Sequence, residues 1–169
     1  MKSITIIISL IFSITVINAQ QHFSVPQITT EQKQEILYNH VIAYAAAGIG
    51  FAKTKGATPE EFGEYIGAQF KPFWNPADGF PSFANGMLFI LGGMHPDNEL
   101  KIVEQSDKMI RFKLKNVDFL FQNGTAFGTT YDEFLACSNG IISTLAEHMD
   151  VGFNYITEDG WYEVKLEKR

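Results

Sequence analysis

The chain has 169 residues, of which 46% are hydrophobic, and a formal net charge of −6. This composition predicts one globular domain with a buried core, and the acidic balance argues against a nucleic-acid partner, because phosphate backbones bind basic surfaces. One cysteine cannot form an internal disulfide, so packing must stabilise the fold.

The N-terminus predicts a secretory signal peptide. Lys2 precedes an apolar run from Ile4 to Ile17, and Ala19 is a small residue suited to cleavage. The run is shorter than the ~20 residues of a membrane-spanning helix. We therefore expect removal of residues 1–19, which leaves a secreted or periplasmic single domain of residues 20–169 without a stable membrane span. An uncleaved anchor is the alternative.

Two helices are predicted next. Helical periodicity starts at about Thr30, and two neighbouring stripes of this first helix are largely apolar. Small residues between positions 43 and 50 would let another backbone approach, which suggests a homodimer through this face. The second helix begins at a capping box formed by Thr58 and Glu61, with Pro59 at its first position, and runs to about residue 70.

An aromatic connector and a third helix follow. The connector is "KPFWNPADGFP", residues 71–81, and the helix is predicted from Pro81 to about Gly92. The period then changes to two, because apolar residues between 100 and 114 alternate with mostly charged ones. That pattern predicts an antiparallel hairpin with one wet face. "VDFLFQNG", residues 117–124, predicts a third strand.

The last part of the chain predicts a long helix and a second hairpin. Thr130 and Glu133 form a capping box, and the helix extends to about Asp150. In "FNYITEDGWYEVKL" two strands are joined at Asp159-Gly160, a hairpin signal. The predicted fold class is therefore α+β, with an antiparallel sheet packed against about four helices in a single domain.

Cys137 lies in the fourth helix and is the first candidate for chemistry. A nucleophilic cysteine needs a base within hydrogen-bond reach. His148 is on the same stripe, but eleven residues at ~1.5 Å each place it about 16 Å away along the axis. His40 or His95 could serve only if the fold brought one of them close. The alternative is a buried, inert cysteine, which is common for a free thiol.

No cofactor or metal is predicted. The histidines at 22, 40, 95 and 148 lack the spacing of metal ligands, and the chain has no phosphate-binding glycine loop. Asn123-Gly124-Thr125 is a glycosylation sequon, although Asn-Gly is also a plain turn. The sequence therefore offers no motif that identifies a reaction.

Aromatic side chains cluster over the connector, the third helix and the predicted third strand. They indicate either a well-filled core or an apolar cavity with a few polar groups, the usual form of a small-molecule site. In the fourth helix, Cys137 to Gly140 form a small, partly polar block that suits close backbone contact or one wall of a pocket. The candidate ligand-binding residues are Phe73, Trp74, Phe83, His95, Phe121, Phe127, Cys137 and Asn139.

Residues 100–168 have a familiar order: a hairpin, the capped helix "TTYDEFLACSNGIISTLAEHMDVGF" and the hairpin "NYITEDGWYEVKL". This order resembles the C-terminal half of the 4-vinyl-reductase-type ligand-binding domains, and it is similar to the L-2-amino-thiazoline-4-carboxylic acid hydrolase family. The resemblance implies an α+β domain with a pocket between helices and sheet. The paired cysteines common in the first group are absent, so no catalytic residue is carried over.

Three functions remain open from the sequence. The first is binding of a small, largely apolar ligand in a secreted or periplasmic domain. The second is a hydrolase of the amino-thiazoline carboxylate type that uses Cys137 or a histidine. The third is a structural or interaction module. A binder needs a cavity, a hydrolase needs a base near the thiol, and an interaction module needs an exposed apolar patch.

Overall fold

A computed structural model describes residues 27–94, 98–115 and 118–169, so the predicted signal peptide and His95 lie outside the described residues. Within these ranges the chain forms four α-helices and a four-stranded antiparallel sheet. The helices are α1 (Thr30–Thr54), α2 (Pro59–Phe70), α3 (Gly79–Gly92) and α4 (Tyr131–His148). The strands are β1 (Glu99–Ser106), β2 (Met109–Lys115), β3 (Val151–Glu158) and β4 (Trp161–Lys168). The predicted α+β single domain is confirmed.

Local sequence signals fix the helix starts. Thr58 and Thr130 each accept a hydrogen bond from the backbone N–H three residues later, and Glu61 and Glu133 accept from the N–H of the capping threonine in return. Both predicted capping boxes are therefore present. α1 begins with the same arrangement, in which Thr29 pairs with Gln32. These reciprocal bonds satisfy two otherwise unpaired donors at each helix start.

The sheet has the order β1-β2-β4-β3. Strands β2 and β4 lie in its centre, and their residues alternate between buried and half-buried positions until the last residue of β4. The buried side chains of these strands form one core with residues of α3 and α4, so those two helices cover the inner face of the sheet. Asp159 and Gly160 both have positive φ in the predicted β3–β4 turn.

The predicted third strand does not form. Its described residues, 118–124, contain a short 3-10 helix at Phe119–Phe121 instead. Phe121 is buried there and packs against Phe134 of α4, with ring centroids 5.3 Å apart. A short apolar run is compatible with either a strand or a helix. Here the run forms a helical turn, in which Phe121 is buried against α4.

Helix α4 is central to the molecule. One side of it belongs to the sheet core, and the other side forms a second apolar cluster with Ile42, Ala46 and Ile49 of α1. α2 also packs closely on α4, because a Cβ atom at Gly63 would overlap the carbonyl oxygen of Cys137. None of the helices in the described part of the chain is long and apolar enough to cross a membrane.

Candidate functional site

A cavity of about 630 Å³ lies among the four helices and is called the helical cavity here. All its described lining residues belong to α1, α2, α3 and α4 or to the segments that follow α2 and α3. None of the described lining residues comes from the sheet, so the cavity differs in position from the helix–sheet pocket that the resemblance implies. The lining of the cavity includes Leu37, Val41, Ala45, Ile49, Phe70, Trp74, Ile90, Phe134, Cys137 and Leu145.

The described lining is almost entirely apolar. It contains no Asp, Glu, Lys, Arg or His side chain, and its hydroxyl groups are those of Tyr38 and Ser138. The Ser138 hydroxyl donates to the Phe134 carbonyl of its own helix at 3.0 Å. A group that is already bonded within its helix is a weak partner for a ligand. Shape and apolar contact therefore dominate what this cavity can recognise.

The cavity has a buried end and an open end. At the buried end Ile49, Phe134 and Cys137 are 1%, 4% and 4% exposed. At the open end four lining residues are exposed to solvent, and they are defined here as the mouth: Leu37, Val41, Phe70 and Ile90. The mouth therefore consists of exposed apolar side chains contributed by three different helices.

Trp74 is held firmly at the edge of this cavity. Its ring lies edge-on to Phe83, with centroids 5.1 Å apart, and it fits against Gly86 of α3, where a Cβ atom would overlap the indole. The Trp74 carbonyl accepts a hydrogen bond from His148 Nε2 at 2.9 Å, which fixes the proton on that nitrogen. The polar role of His148 is therefore structural in this arrangement.

Cys137 contributes its side chain to the cavity wall but is poorly suited to nucleophilic attack. Burial raises the pKa of its thiol to about 11, so the thiol is protonated at neutral pH. The described lining offers no histidine or carboxylate that could act as a base. No group of three or more His, Cys, Asp or Glu side chains suited to a metal ion occurs in residues 27–94, 98–115 and 118–169.

Asn139 lies on the other side of α4. Its Oδ1 accepts a hydrogen bond from the Tyr162 hydroxyl inside the sheet core. Asn139 is not among the described lining residues of the cavity. Its Nδ2 has no hydrogen-bond partner in the part of the chain that the structure describes. Burial is the main cause of the raised pKa of Tyr162, which stays neutral and donates.

The candidate residues from the sequence are thus distributed over several environments. Trp74 and Cys137 line the helical cavity. Phe83 and Phe121 are buried in the two core clusters, whereas Phe73 and Phe127 are 80% and 62% exposed. His95, which directly follows the lining residue Met94 in the sequence, lies outside the described residues.

Sequence reasoning missed the contribution of α1 and α2 to the site. Leu37, Val41, Ala45 and Ile49 follow one another at intervals of four residues and line the cavity along α1. The same periodicity is visible in the sequence. It predicts that this face of α1 packs against another part of the protein, but it does not identify that part. The small residues of α1 have partners within the chain as well, because a Cβ at Gly50 would overlap the Phe127 carbonyl oxygen.

The fold and the site together define a class: an α+β domain with an apolar cavity among its four helices, lined by residues of both core clusters. No protein-family model, curated protein or solved structure matches this chain. The resemblance of residues 100–168 to the 4-vinyl-reductase-type domains and the amino-thiazoline carboxylate hydrolases therefore stays a hypothesis.

Proposed function

We propose that this chain is a secreted or periplasmic domain that binds a small, largely apolar ligand in the helical cavity. The supporting observation is a cavity of about 630 Å³ whose described lining has no charged side chain. Small-molecule sites typically measure ~300–1,000 Å³ and are lined by apolar and aromatic groups. A water molecule in such a space finds few hydrogen-bond partners, whereas an ordered buried water typically needs ~2–4 of them.

Energetics favour an occupant of this kind. Side chains around an unfilled cavity lose dispersion contacts, and each Å² of apolar surface removed from water contributes roughly 25 cal/mol. An apolar ligand would restore those contacts without any unpaired polar group on the wall. A charged ligand atom would lose hydration and find no counter-charge among the described lining residues.

A thermal-shift screen of lipids, aromatic acids and porphyrin-like compounds tests this function. A ligand at a hundredfold excess over its Kd stabilises the folded state by ~2.7 kcal/mol. For a domain of this size that corresponds to a rise in Tm of about 5 to 10 °C. A panel in which no apolar compound raises Tm, while the protein unfolds cooperatively, would contradict the proposal.

The proposed export depends on the predicted signal peptide of residues 1–19. We expect mass spectrometry of protein from its native host to show a chain that begins near Gln20. An intact Met1 would contradict export and would leave ligand binding untouched, so the two parts of the proposal fail separately.

An interaction module is the second candidate, because α1 has an exposed apolar stripe. Leu37, Val41, Tyr44 and Phe51 are 62%, 54%, 73% and 64% exposed on this helix. Sedimentation over a range of concentrations tests whether copies associate through the stripe. Tyr44→Glu and Phe51→Glu should then abolish association without weakening ligand binding, because neither residue is among the described lining. A monomer at all concentrations would exclude the homodimer.

A further inference from the structure

The helical cavity is long compared with its width. Its lining along α1 runs from Leu37 to Ile49, twelve steps along the helix that span about 18 Å at ~1.5 Å each. Along α4 it runs from Phe134 to Leu145, or about 16 Å by the same rise. Lys53 near the end of α1 pairs with Glu133 near the start of α4, and the lining extends away from this contact along both helices. The cavity is therefore elongated along α1 and α4, with α2 and α3 completing its wall, and it is called the slot here.

The width of this slot follows from its volume. About 630 Å³ spread over roughly 17 Å gives a mean cross-section of about 37 Å², or a channel about 7 Å across. Carbon atoms in contact lie ~3.5–4.0 Å apart. A channel of this width therefore takes one or two hydrocarbon chains lying lengthwise.

The two ends of the slot differ in a way that gives a ligand a direction. The inner end, around Ile49 and Phe134, is buried and apolar. The mouth is exposed, and Leu37 and Val41 lie on the part of the α1 lining that is farthest from the Lys53–Glu133 contact. A polar or charged head group can keep its hydration only at the mouth, since the described walls offer no charge to receive it.

We infer that the ligand is an extended amphiphile whose hydrocarbon tail lies along the slot beside α1 and α4, with its polar head in water at the mouth. This inference rests on the proposed function and names its ligand class. Leu37, Val41, Ala45 and Ile49 form the track along which the tail lies. A compact aromatic molecule would fill only part of that track.

A chain-length series of sodium alkanoates tests the inference, with affinity measured by titration calorimetry. From octanoate through dodecanoate to hexadecanoate, each added methylene buried in the slot should tighten Kd about fourfold. The gain should stop once the chain exceeds the slot, because further methylenes remain in water. Naphthalene and indole serve as compact apolar probes.

Ala45→Trp is the matching variant, because Ala45 lies midway between Val41 at the mouth and Ile49 at the buried end. An indole there should block the inner half of the slot. We expect the substitution to weaken the binding of the longest alkanoates more than tenfold. For chains that reach beyond the block, Kd should no longer depend on chain length. Ala68→Trp, at an exposed position of α2 that is not among the described lining, is the control and should leave the series unchanged.

The outcomes separate this inference from the proposed function. Affinity that rises with chain length in the native protein supports the inference even if Ala45→Trp fails to fold. Binding of naphthalene or indole without graded binding of alkanoates would overturn the inference and leave the proposed function intact. Absence of binding by every apolar probe would overturn both. A chain-length series unchanged in folded Ala45→Trp would place the tail elsewhere and overturn the inference.

Discussion

At the residue scale, Cys137 shows how its surroundings determine its chemistry. Its backbone carbonyl lies against Gly63 of α2, and its side chain lies on the wall of the helical cavity. Gly140, one turn further along α4, also lies against the α2 backbone, at Glu60. The block of small residues around Cys137 therefore serves two purposes: it allows α2 to approach and it forms part of the cavity wall.

We predict that the Cys137 thiol reacts slowly in the native protein. Burial raises its pKa to about 11, so little thiolate is present at neutral pH. A thiol reagent should label it quickly only in denaturant, and a ligand that fills the cavity should slow native labelling further. Rapid native labelling, with a thiol pKa below its ordinary value, would instead support a nucleophilic role.

Tyr162→Phe should destabilise the protein by about 1–3 kcal/mol, because it leaves the buried Asn139 side chain without the hydroxyl that it now binds. Denaturant unfolding measures the change. Tyr155→Phe, at an exposed position of β3, is the matched control and should have little effect. Replacing both members of the pair, by Tyr162→Phe with Asn139→Leu, should recover part of the loss, and no recovery would contradict this reading.

At the element scale, the contact between α2 and α4 depends on glycine. Gly63, Gly67 and Gly140 lie where a Cβ atom would press on the backbone of the opposite helix. Glycine in a helix interior costs ~1 kcal/mol relative to alanine, so close packing must offset that cost here. The pair of helices closes one side of the cavity, since Phe62 and Ile66 of α2 face it.

Gly140→Ala should therefore lower the free energy of unfolding, although alanine is the better helix former. Its Cβ would lie too close to the Glu60 carbonyl oxygen and force the two helices apart. Gly48→Ala is the control, because its nearest neighbour is the edge of the Phe62 ring at 3.3 Å, which can shift. Equal effects of the two substitutions in denaturant unfolding would argue against backbone contact as the cause.

The second half of α1 is held to the rest of the domain by a few specific contacts. Lys53 Nζ pairs with the Glu133 carboxylate and donates to the Gly128 carbonyl at 2.9 Å, and the buried Thr129 hydroxyl donates to the Ala46 carbonyl at 2.8 Å. In contrast, residues 30–37 of α1 are all exposed. The helix is thus anchored beside the buried end of the cavity and extends over the mouth.

We expect the Lys53–Glu133 contact to make stability depend on pH. The hydrogen bond from Lys53, followed by that from the Thr130 backbone, lowers the pKa of Glu133 from its ordinary 4.5 in the folded state. The stabilisation is therefore fully present above about pH 4.5, and it is lost as the pH falls through the lowered pKa of Glu133. Tm should drop in that acid range and drop less in Glu133→Gln. Glu35→Gln, at an exposed position of α1, should behave like the native protein.

The sequence predicted the helices and hairpins because their signals are local. Capping boxes at Thr58 and Thr130 and the Asp159-Gly160 turn are confirmed in the structure. The prediction of a third strand was wrong, because an apolar run as short as residues 117–124 has no periodicity that distinguishes a strand from a helical turn. Trp74 and Cys137 were placed among the site candidates, but the contribution of α1 depends on how distant helices pack, which no local pattern encodes.

At the scale of the whole molecule, the sheet and α3 stabilise α4, and α4 in turn forms one wall of a cavity that α1, α2 and α3 complete. The chain has two tryptophans. Trp74 lines the cavity, whereas Trp161 lies near three lysines, of which Lys113 has its Nζ 4.6 Å from the ring centroid. The Trp161→Phe variant should keep that cation–π contact. Its emission would then report on the cavity alone.

Titration of the Trp161→Phe protein with the compound that raises Tm most tests directly whether an apolar ligand occupies the helical cavity. We predict a saturable change in Trp74 emission with one ligand per chain and the same Kd as calorimetry gives. The change should be absent for a hydrophilic compound of similar size. If the compound binds with unchanged Trp74 emission, it binds elsewhere, and the claim that this cavity is the binding site is wrong.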